Sequence, residues 1–360
     1  MVKIFFLTTA QALFSPNDLK IKGMGGTETV LIHLAKHLAK TNDVSVYCNT
    51  IEEKEYNGVK YKFAENVHDG LYDHKPDILI VLRDSYFINF FDIKKHNCKV
   101  VLWCHDFVDT PAMDKIGEAI NKIDKIVSVS EWHKENICTK FPEVKNKIVP
   151  IPLGVDGTIF NMVNLEKVHR KIIYASAPYR GLKELLDMFP KLRKIPYTEL
   201  HIFSGMDMYA TGEKDEYEKL YSRAKKMKQV VYHGTVPQEE LARHMKESVL
   251  MVYPNTYDET CCTSIMQSLM CGTPVITSKK AALVNTMTNQ PPGILIEGEP
   301  GSEYYNMQFL SYTKTLLIQK DIYNTLQKKC NNIDWSLNKF FKKWDKFLKE
   351  IIFSEKDKEI

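Results

Sequence analysis

No C-x-x-C pair occurs among the eight cysteines of this 360-residue chain, and two of the eight, Cys261 and Cys262, are adjacent. Zinc ribbons and redox motifs need closely spaced thiol pairs, so neither a zinc site nor a disulfide framework is indicated, and the thiols read as reduced. No apolar run reaches the roughly 18 residues that a membrane span needs, and the opening MVKIFFLTTA is too short and too soon interrupted for a secretory signal. Charge of one sign is scarce as well. Forty-nine Lys and Arg against 45 Asp and Glu leave a formal net charge of +4, with the lysines spread through helical segments, so nothing marks a nucleic-acid surface. The expected location is cytoplasmic. The lysine-rich FFKKWDKFLKE near the C-terminus alternates with aromatics at helical spacing; it reads as a packed helix with a solvated face, with membrane association peripheral at most.

What is present is enough for two cores. The chain is 44% apolar, and single cores stop growing near roughly 250–300 residues. Strand and helix patterns alternate throughout. In the first half, strands are expected at Val2 to Leu7, Val44 to Tyr47, Val59 to Phe63, Asp77 to Leu82, Val100 to Cys104, Ile126 to Val129 and Ile148 to Ile151. A helical stripe of Val30, Leu31, Leu34 and Leu38 follows the loop Gly23 to Glu28. The proline-bracketed Pro150 to Asp156 cannot be helix interior and is placed as the linker. The rhythm then restarts: strands at Lys171 to Ala175, Leu200 to Phe203 and Val230 to Tyr232, and helices at Gly181 to Leu192, Glu213 to Met227 and Gln238 to Met245. Such alternation implies mostly parallel, doubly wound α/β sheets. The expected domains are 1–153 and 154–334, with a final amphipathic helix over about 335–353 packing back onto the first.

One stretch organises the second half: Tyr253 to Ser278, YPNTYDETCCTSIMQSLMCGTPVITS. An apolar strand enters it, a polar loop carries Glu259, and Thr263-Ser264 stands as an N-cap signal before Ile265, Met266, Leu269 and Met270. Gly272 suits a helix C-cap, and Pro274 blocks continuation. A helix N-terminus with open backbone N–H groups binds anions, so the stretch offers a carboxylate beside an anion cradle. Near the other end of the chain, Gly25-Gly26 would let the backbone approach a diphosphate closely, with Thr27 opening the next helix. The plainer alternative there is a turn. Three residues past Gly26 stands Thr29, so the G-x-G-x-x-G dinucleotide fingerprint is incomplete.

Taken in order, Gly-Gly-Thr-Glu, His-Asp after a middle strand, Leu-Gly-Val-Asp at the linker, Tyr-Arg-Gly-Leu-Lys-Glu-Leu-Leu, and the Glu259 stretch ending Cys-Gly-Thr-Pro-Val resemble the family 4 retaining glycosyltransferases of the GT-B fold. The resemblance spans nearly the whole chain. It implies two Rossmann-like domains with a cleft between them, a nucleotide-diphosphate sugar such as a GDP- or UDP-hexose held mainly by the second, and a glycan or lipid-linked acceptor mainly by the first. It also implies no metal and no further cofactor. The sequence agrees in one respect: no two Asp stand two apart, so the Asp-x-Asp metal motif of the other large transferase fold is missing.

The resemblance implies roles residue by residue. His105, at the carboxyl end of a buried strand, would hydrogen-bond the transferred sugar; the alternative is a histidine that only satisfies Asp106 or a carbonyl. Arg180 would grip the donor diphosphate, with Lys183 one turn on as a helper or a solvated helix position. Where the family carries a second cation, four to five residues earlier, this chain has Ser176-Ala177. Glu259 would accept from sugar hydroxyls and Gln267, eight residues on, from the ribose; the family has a carboxylate at the second place. Backbone N–H groups of Cys262, Thr263 and Ser264 would meet phosphate. The strand-end loops at Gly205 and Val236 would meet the nucleoside. The adjacent cysteines read as packing, not as a nucleophile.

The expected function is a metal-independent, retaining hexosyltransferase with Glu259, His105 and Arg180 as catalytic residues. Three alternatives stay open. A GT-B epimerase or phosphorylase would share the fold. A two-domain dehydrogenase would need the full glycine fingerprint. A nucleotide-sugar-binding protein without transfer would fit the departures at Ala177 and Gln267.

Overall fold

The structure is a computed structural model that describes residues 1–9, 13–90, 97–111, 113–163, 166–207, 215–287 and 291–353. The chain folds as two compact units, one comprising Met1–Asn17, Gly26–Gly154 and the helix Leu337–Phe353, the other Asp18–Gly25 and Val155–Ser336.

The first unit is built on eight strands: β1 (Lys3–Thr8), β2 (Asp43–Cys48), β3 (Lys54–Tyr56), β4 (Val59–Phe63), β5 (Ile78–Leu82), β6 (Lys99–Trp103), β7 (Lys125–Ser128) and β8 (Ile148–Pro150). Their spatial order is β3-β4-β2-β1-β5-β6-β7-β8. Every pairing is parallel except β3 with β4. All five residues of β5, ILIVL, are buried, as a strand covered on both faces by crossover helices requires. The edge strand β3 is exposed and carries Lys54 and Glu55, which escaped the sequence reading because it has no apolar alternation. The helix Leu337–Phe353 belongs to this unit. Its Trp344 meets Trp103 edge-on with ring centroids 4.8 Å apart, and Phe341 stacks on His37 at 4.2 Å. Gly154 makes the approach: a Cβ there would lie 2.7 Å from that of Phe340.

The second unit holds β9 (Lys171–Ala175), β10 (Glu199–Phe203), β11 (Val230–Tyr232), β12 (Leu250–Tyr253), β13 (Val275–Ser278) and β14 (Gly293–Ile296). They run β11-β10-β9-β12-β13-β14, all parallel. Renumbered within the unit this is 3-2-1-4-5-6, the doubly wound nucleotide-binding order. The helix read over 213–227 spans Glu218–Lys226; residues 213 and 214 lie outside the described residues. The short helix Asp18–Ile21 packs on the helix Gln238–Glu247, which groups Asp18–Gly25 with this unit. Among the described residues, no helix is long and apolar enough to cross a membrane.

Candidate active site

In an open α/β sheet the connections diverge to opposite faces at the point where strand order reverses, and ligands gather at the carboxyl ends of the strands there. In the second unit that point lies between β9 and β12. The loop after β9 carries Arg180 and the loop after β12 carries Glu259, so chain topology brings together two side chains 79 residues apart. Gly181 makes the approach possible. It adopts φ +104°, and a Cβ there would sit 2.0 Å from the Pro254 carbonyl oxygen, so the two loops touch backbone to backbone. Thr256 Oγ1 closes the contact by donating to the Tyr179 carbonyl at 3.0 Å.

Glu259 is buried, at 4% exposure. Its Oε1 accepts from Arg180 Nη1 at 3.0 Å and from the Tyr253 hydroxyl at 2.7 Å. Ser176 Oγ donates in turn to the Tyr253 oxygen at 3.2 Å. Burial first, then the Glu259 charge, push the Tyr253 hydroxyl well above its ordinary pKa, so it stays protonated and donates to the carboxylate. The Arg180 guanidinium lies over two rings, 5.3 Å from the Tyr179 centroid and 4.8 Å from that of Tyr257, a geometry in which ring quadrupoles hold a cation. Arg180, expected at phosphate, and Glu259, expected at the sugar, are joined in the structure as an ion pair.

The helix Thr263–Met270 begins beside this pair. Its N-cap is Cys262, with no side-chain cap bond, rather than Thr263-Ser264, which are the first two helical residues. Cys262 has the extended backbone of a cap residue, φ −93° and ψ 93°, so the helix starts one residue earlier than hydroxyl preference suggested. Without a side-chain cap, the dipole and open N–H groups of Thr263 and Ser264 suit an anion. Burial, reinforced by Glu259, raises the Cys262 thiol well above its usual range, which removes it as a nucleophile. Gln267 is half-buried on the same helix, and Gly272 closes it at φ +65°.

The remaining predicted residues separate. Lys183 pairs with Asp187 at 3.0 Å on an exposed helix face, the solvated alternative given for it. Gly205 and Val236 lie on the loops after β10 and β11, where a Cβ on Gly205 would be 2.9 Å from Thr235 Cγ2. Gly23 backs onto the same place, 3.2 Å from Thr235 Cβ by the same measure. Gly25 therefore groups with the second unit, while Gly26 opens the first unit's helix Gly26–Leu38. The two glycines read as one phosphate loop fall on either side of a boundary between units.

The first unit has its own polar cluster. His105, 8% exposed, follows β6, and its Nδ1 lies 3.3 Å from Thr27 Oγ1. Burial, then Arg83, then His133 hold its pKa well below the ordinary value, so the imidazole is neutral. Arg83 was missed in the sequence. It directly follows β5, in a left-handed backbone at φ 70°, and reaches Asp106 with a two-bond fork, Nε to Oδ2 and Nη2 to Oδ1, both 2.7 Å. Its strand-end position was the available signal, since β1 and β5 flank this sheet's own reversal. His133 is buried; Ser130 Oγ caps its helix at 3.0 Å from the His133 N–H. The Val129 amide donates to His133 Nδ1 at 3.4 Å, so Nε2 carries the proton toward the Asp106 carbonyl at 2.9 Å.

The family described as glycosyltransferase family 4 matches residues 24–158, and that described as glycosyl transferases group 1 matches residues 164–304. A curated MMP α-(1→4)-mannosyltransferase of Mycolicibacterium hassiacum is 26% identical over 165 residues, which span 45% of this chain and 38% of that enzyme. The fold is similar to that of a sucrose-phosphate synthase from Thermosynechococcus elongatus, with TM-score 0.77 and 14% identity over 98% of this chain and all of that one. It is also similar to Anabaena HepE in complex with UDP-glucose, with TM-score 0.73 and 14% identity over 97% and 100%. With two family matches on consecutive halves and the doubly wound sheets to carry them, the chain belongs to the family 4 type of GT-B glycosyltransferases.

Proposed function

We propose that the protein moves a hexosyl group from a nucleotide-diphosphate sugar to a hydroxyl on a glycan or lipid-linked acceptor, with retention at the anomeric carbon. The observation that carries the reading is the Arg180 to Glu259 pair at the sheet's reversal, beside a helix N-terminus without a side-chain cap. A relative that is a mannosyltransferase and a neighbour that holds UDP-glucose support a sugar-nucleotide donor.

In this reading the donor diphosphate accepts from the N–H groups at Thr263 and Ser264 and from Arg180, whose fork suits two phosphate oxygens. As the anomeric C–O bond breaks, negative charge grows on the diphosphate, and these preorganised donors stabilise it. Arg180 and the helix terminus supply this positive potential from the chain itself. Glu259, held by Tyr253, accepts from sugar hydroxyls and fixes the ring for attack by the acceptor oxygen. Neutral His105, with its ring set by Thr27, is a second sugar-orienting group. Gln267 takes the ribose as a neutral acceptor, and Gly205 and Val236 border the nucleoside. Cytoplasmic location belongs to the same proposal.

A second reading, donor binding without transfer, is favoured by Gln267 and by the buried apolar Ala177, which together remove one charge of each sign from the family pattern. One experiment separates the two. UDP-, GDP- and ADP-hexoses are screened by thermal shift, and nucleoside-diphosphate release is then followed with and without acceptor. One donor should stabilise the protein by about 2.7 kcal/mol at 100 times its Kd. Release that needs an acceptor supports transfer, binding without release supports the second reading, and no shift with any donor overturns both.

A further inference from the structure

His201 lies in β10, and His233 follows the last residue of β11. The register pairs His201 with Val231 and Ile202 with Tyr232. Side chains alternate across a sheet, so His201 and His233 project from one face. The helix Gln238–Glu247 places His244 against them, its ring centroid 5.4 Å from His201 and 4.6 Å from His233. One nitrogen from each ring lies within 4.8 Å of the others. We propose that His201, His233 and His244 form a site for a single transition-metal dication of the Zn²⁺, Co²⁺ or Ni²⁺ class, apart from the Arg180 and Glu259 pair.

The chemistry of the three rings fits a borderline dication that takes neutral imidazole. Glu199 Oε1 stands 2.5 Å from His201 Nε2, so Nε2 carries the proton and Nδ1 presents its lone pair. A carboxylate on the far nitrogen is the usual outer support of a ligating histidine, since it sets the tautomer and raises basicity. His201 Nδ1 in turn stands 2.9 Å from His233 Nε2, where one proton is shared. Two nitrogens bound tetrahedrally to one ion at about 2.0–2.1 Å stand roughly 3.3 Å apart, so replacing that proton by an ion needs only a small opening of the pair.

The surrounding charge is balanced. Lys171 Nζ reaches His244 Nδ1 at 2.8 Å and also bonds Glu247; Arg243 Nη2 reaches His244 Nε2 at 2.8 Å and its Nη1 bonds Glu247 at 3.0 Å. Two cations are thus set against Glu247 and Glu199. A neutral imidazole has one lone pair and can accept from only one of these cations. An ion at Nε2 takes that lone pair and leaves the proton on Nδ1, so both cations give up the ring: Lys171 keeps its bond to Glu247, and Arg243, 57% exposed and held also by Glu247, is placed to swing away. Arg243 and Glu247 line a cavity of about 410 Å³, which gives the Arg243 side chain room to turn into.

The test uses the untagged full chain, stripped with a chelator and dialysed against Zn²⁺ or Co²⁺. We expect one equivalent of metal by elemental analysis, a raised thermal midpoint, and visible Co²⁺ bands of tetrahedral intensity. His233→Ala and His233→Asn, each checked for native circular dichroism, should both lose the equivalent. Glu199→Gln should weaken binding by about 10–100-fold. His169→Ala, which changes an exposed histidine of the same unit, should retain it. Binding of less than a tenth of an equivalent, or binding unchanged in both His233 variants, overturns the site. Because the readouts are stoichiometry and spectra of the ion, they stand independently of any transfer assay.

Discussion

Arg180 Nη1 lies 3.0 Å from Glu259 Oε1, and the same oxygen takes the Tyr253 hydroxyl, so one buried carboxylate atom ties together the loops after β9 and β12. The proposed donor-binding geometry and local stability therefore share a contact.

Removing Arg180 leaves a buried carboxylate with only Tyr253 on that oxygen. Arg180→Ala should destabilise the protein by about 3 kcal/mol, the low end for breaking a buried pair because the guanidinium is partly exposed. Glu259→Gln keeps an acceptor for both donors and should cost less. The double variant should recover part of the loss, with a coupling of about 0.5–3 kcal/mol in a denaturation cycle. Arg180→Ala and Glu259→Ala should each lower kcat by about 100-fold or more in the transfer assay. Full turnover in either would remove the pair from the active site.

Gly181 offers a purely steric test of the loop contact. At φ +104°, with the Pro254 carbonyl oxygen 2.0 Å from where a Cβ would be, alanine is both strained and obstructed. Gly181→Ala should cost about 3 kcal/mol or more, since left-handed strain alone accounts for roughly 1–3. It should also lower donor affinity, because Arg180 is its neighbour. A thermal midpoint equal to the parent's would show that the two loops do not meet as described.

His133 sets a pH dependence with a definite sign. Its pKa is lowered to about 4, chiefly by burial, against an ordinary value near 6.5. Above pH 6.5 the imidazole is neutral in both folded and unfolded chains, and its contribution is level. Between pH 6.5 and 4 the unfolded chain binds the proton first, so stability falls as pH falls, by about 3 kcal/mol in all from this residue. His105, lowered in the same direction, adds to the slope. Urea midpoints followed by tryptophan fluorescence at pH 7.5 and 4.5 should show the drop, and His133→Asn should flatten the curve. An equal slope in the variant would assign the acid sensitivity elsewhere.

Much of the local structure of the second unit's candidate site was legible because local physics writes it into short stretches. Glu259, the helix start near Thr263 and the closing Gly272 all lie within 14 residues of one another, and each answers to cap or turn preference. The N-cap was misplaced by one residue because Cys262, a poor side-chain capper, takes the extended backbone of the cap position. Arg83 was passed over because its importance depends on a partner, Asp106, that only the sheet places beside it.

By itself the sequence determined the alternation of buried strands and helices, and hence two mostly parallel α/β sheets, because strand and helix each impose a period on apolar residues. It also placed charged and glycine residues at strand ends. The tertiary structure decided which strand ends meet. Strand order sets Arg180 against Glu259, Arg83 against Asp106, and His201 against His233, to which helix packing adds His244. None of these is encoded at a fixed spacing, because a crossover connection can lengthen or shorten without moving the strands it joins.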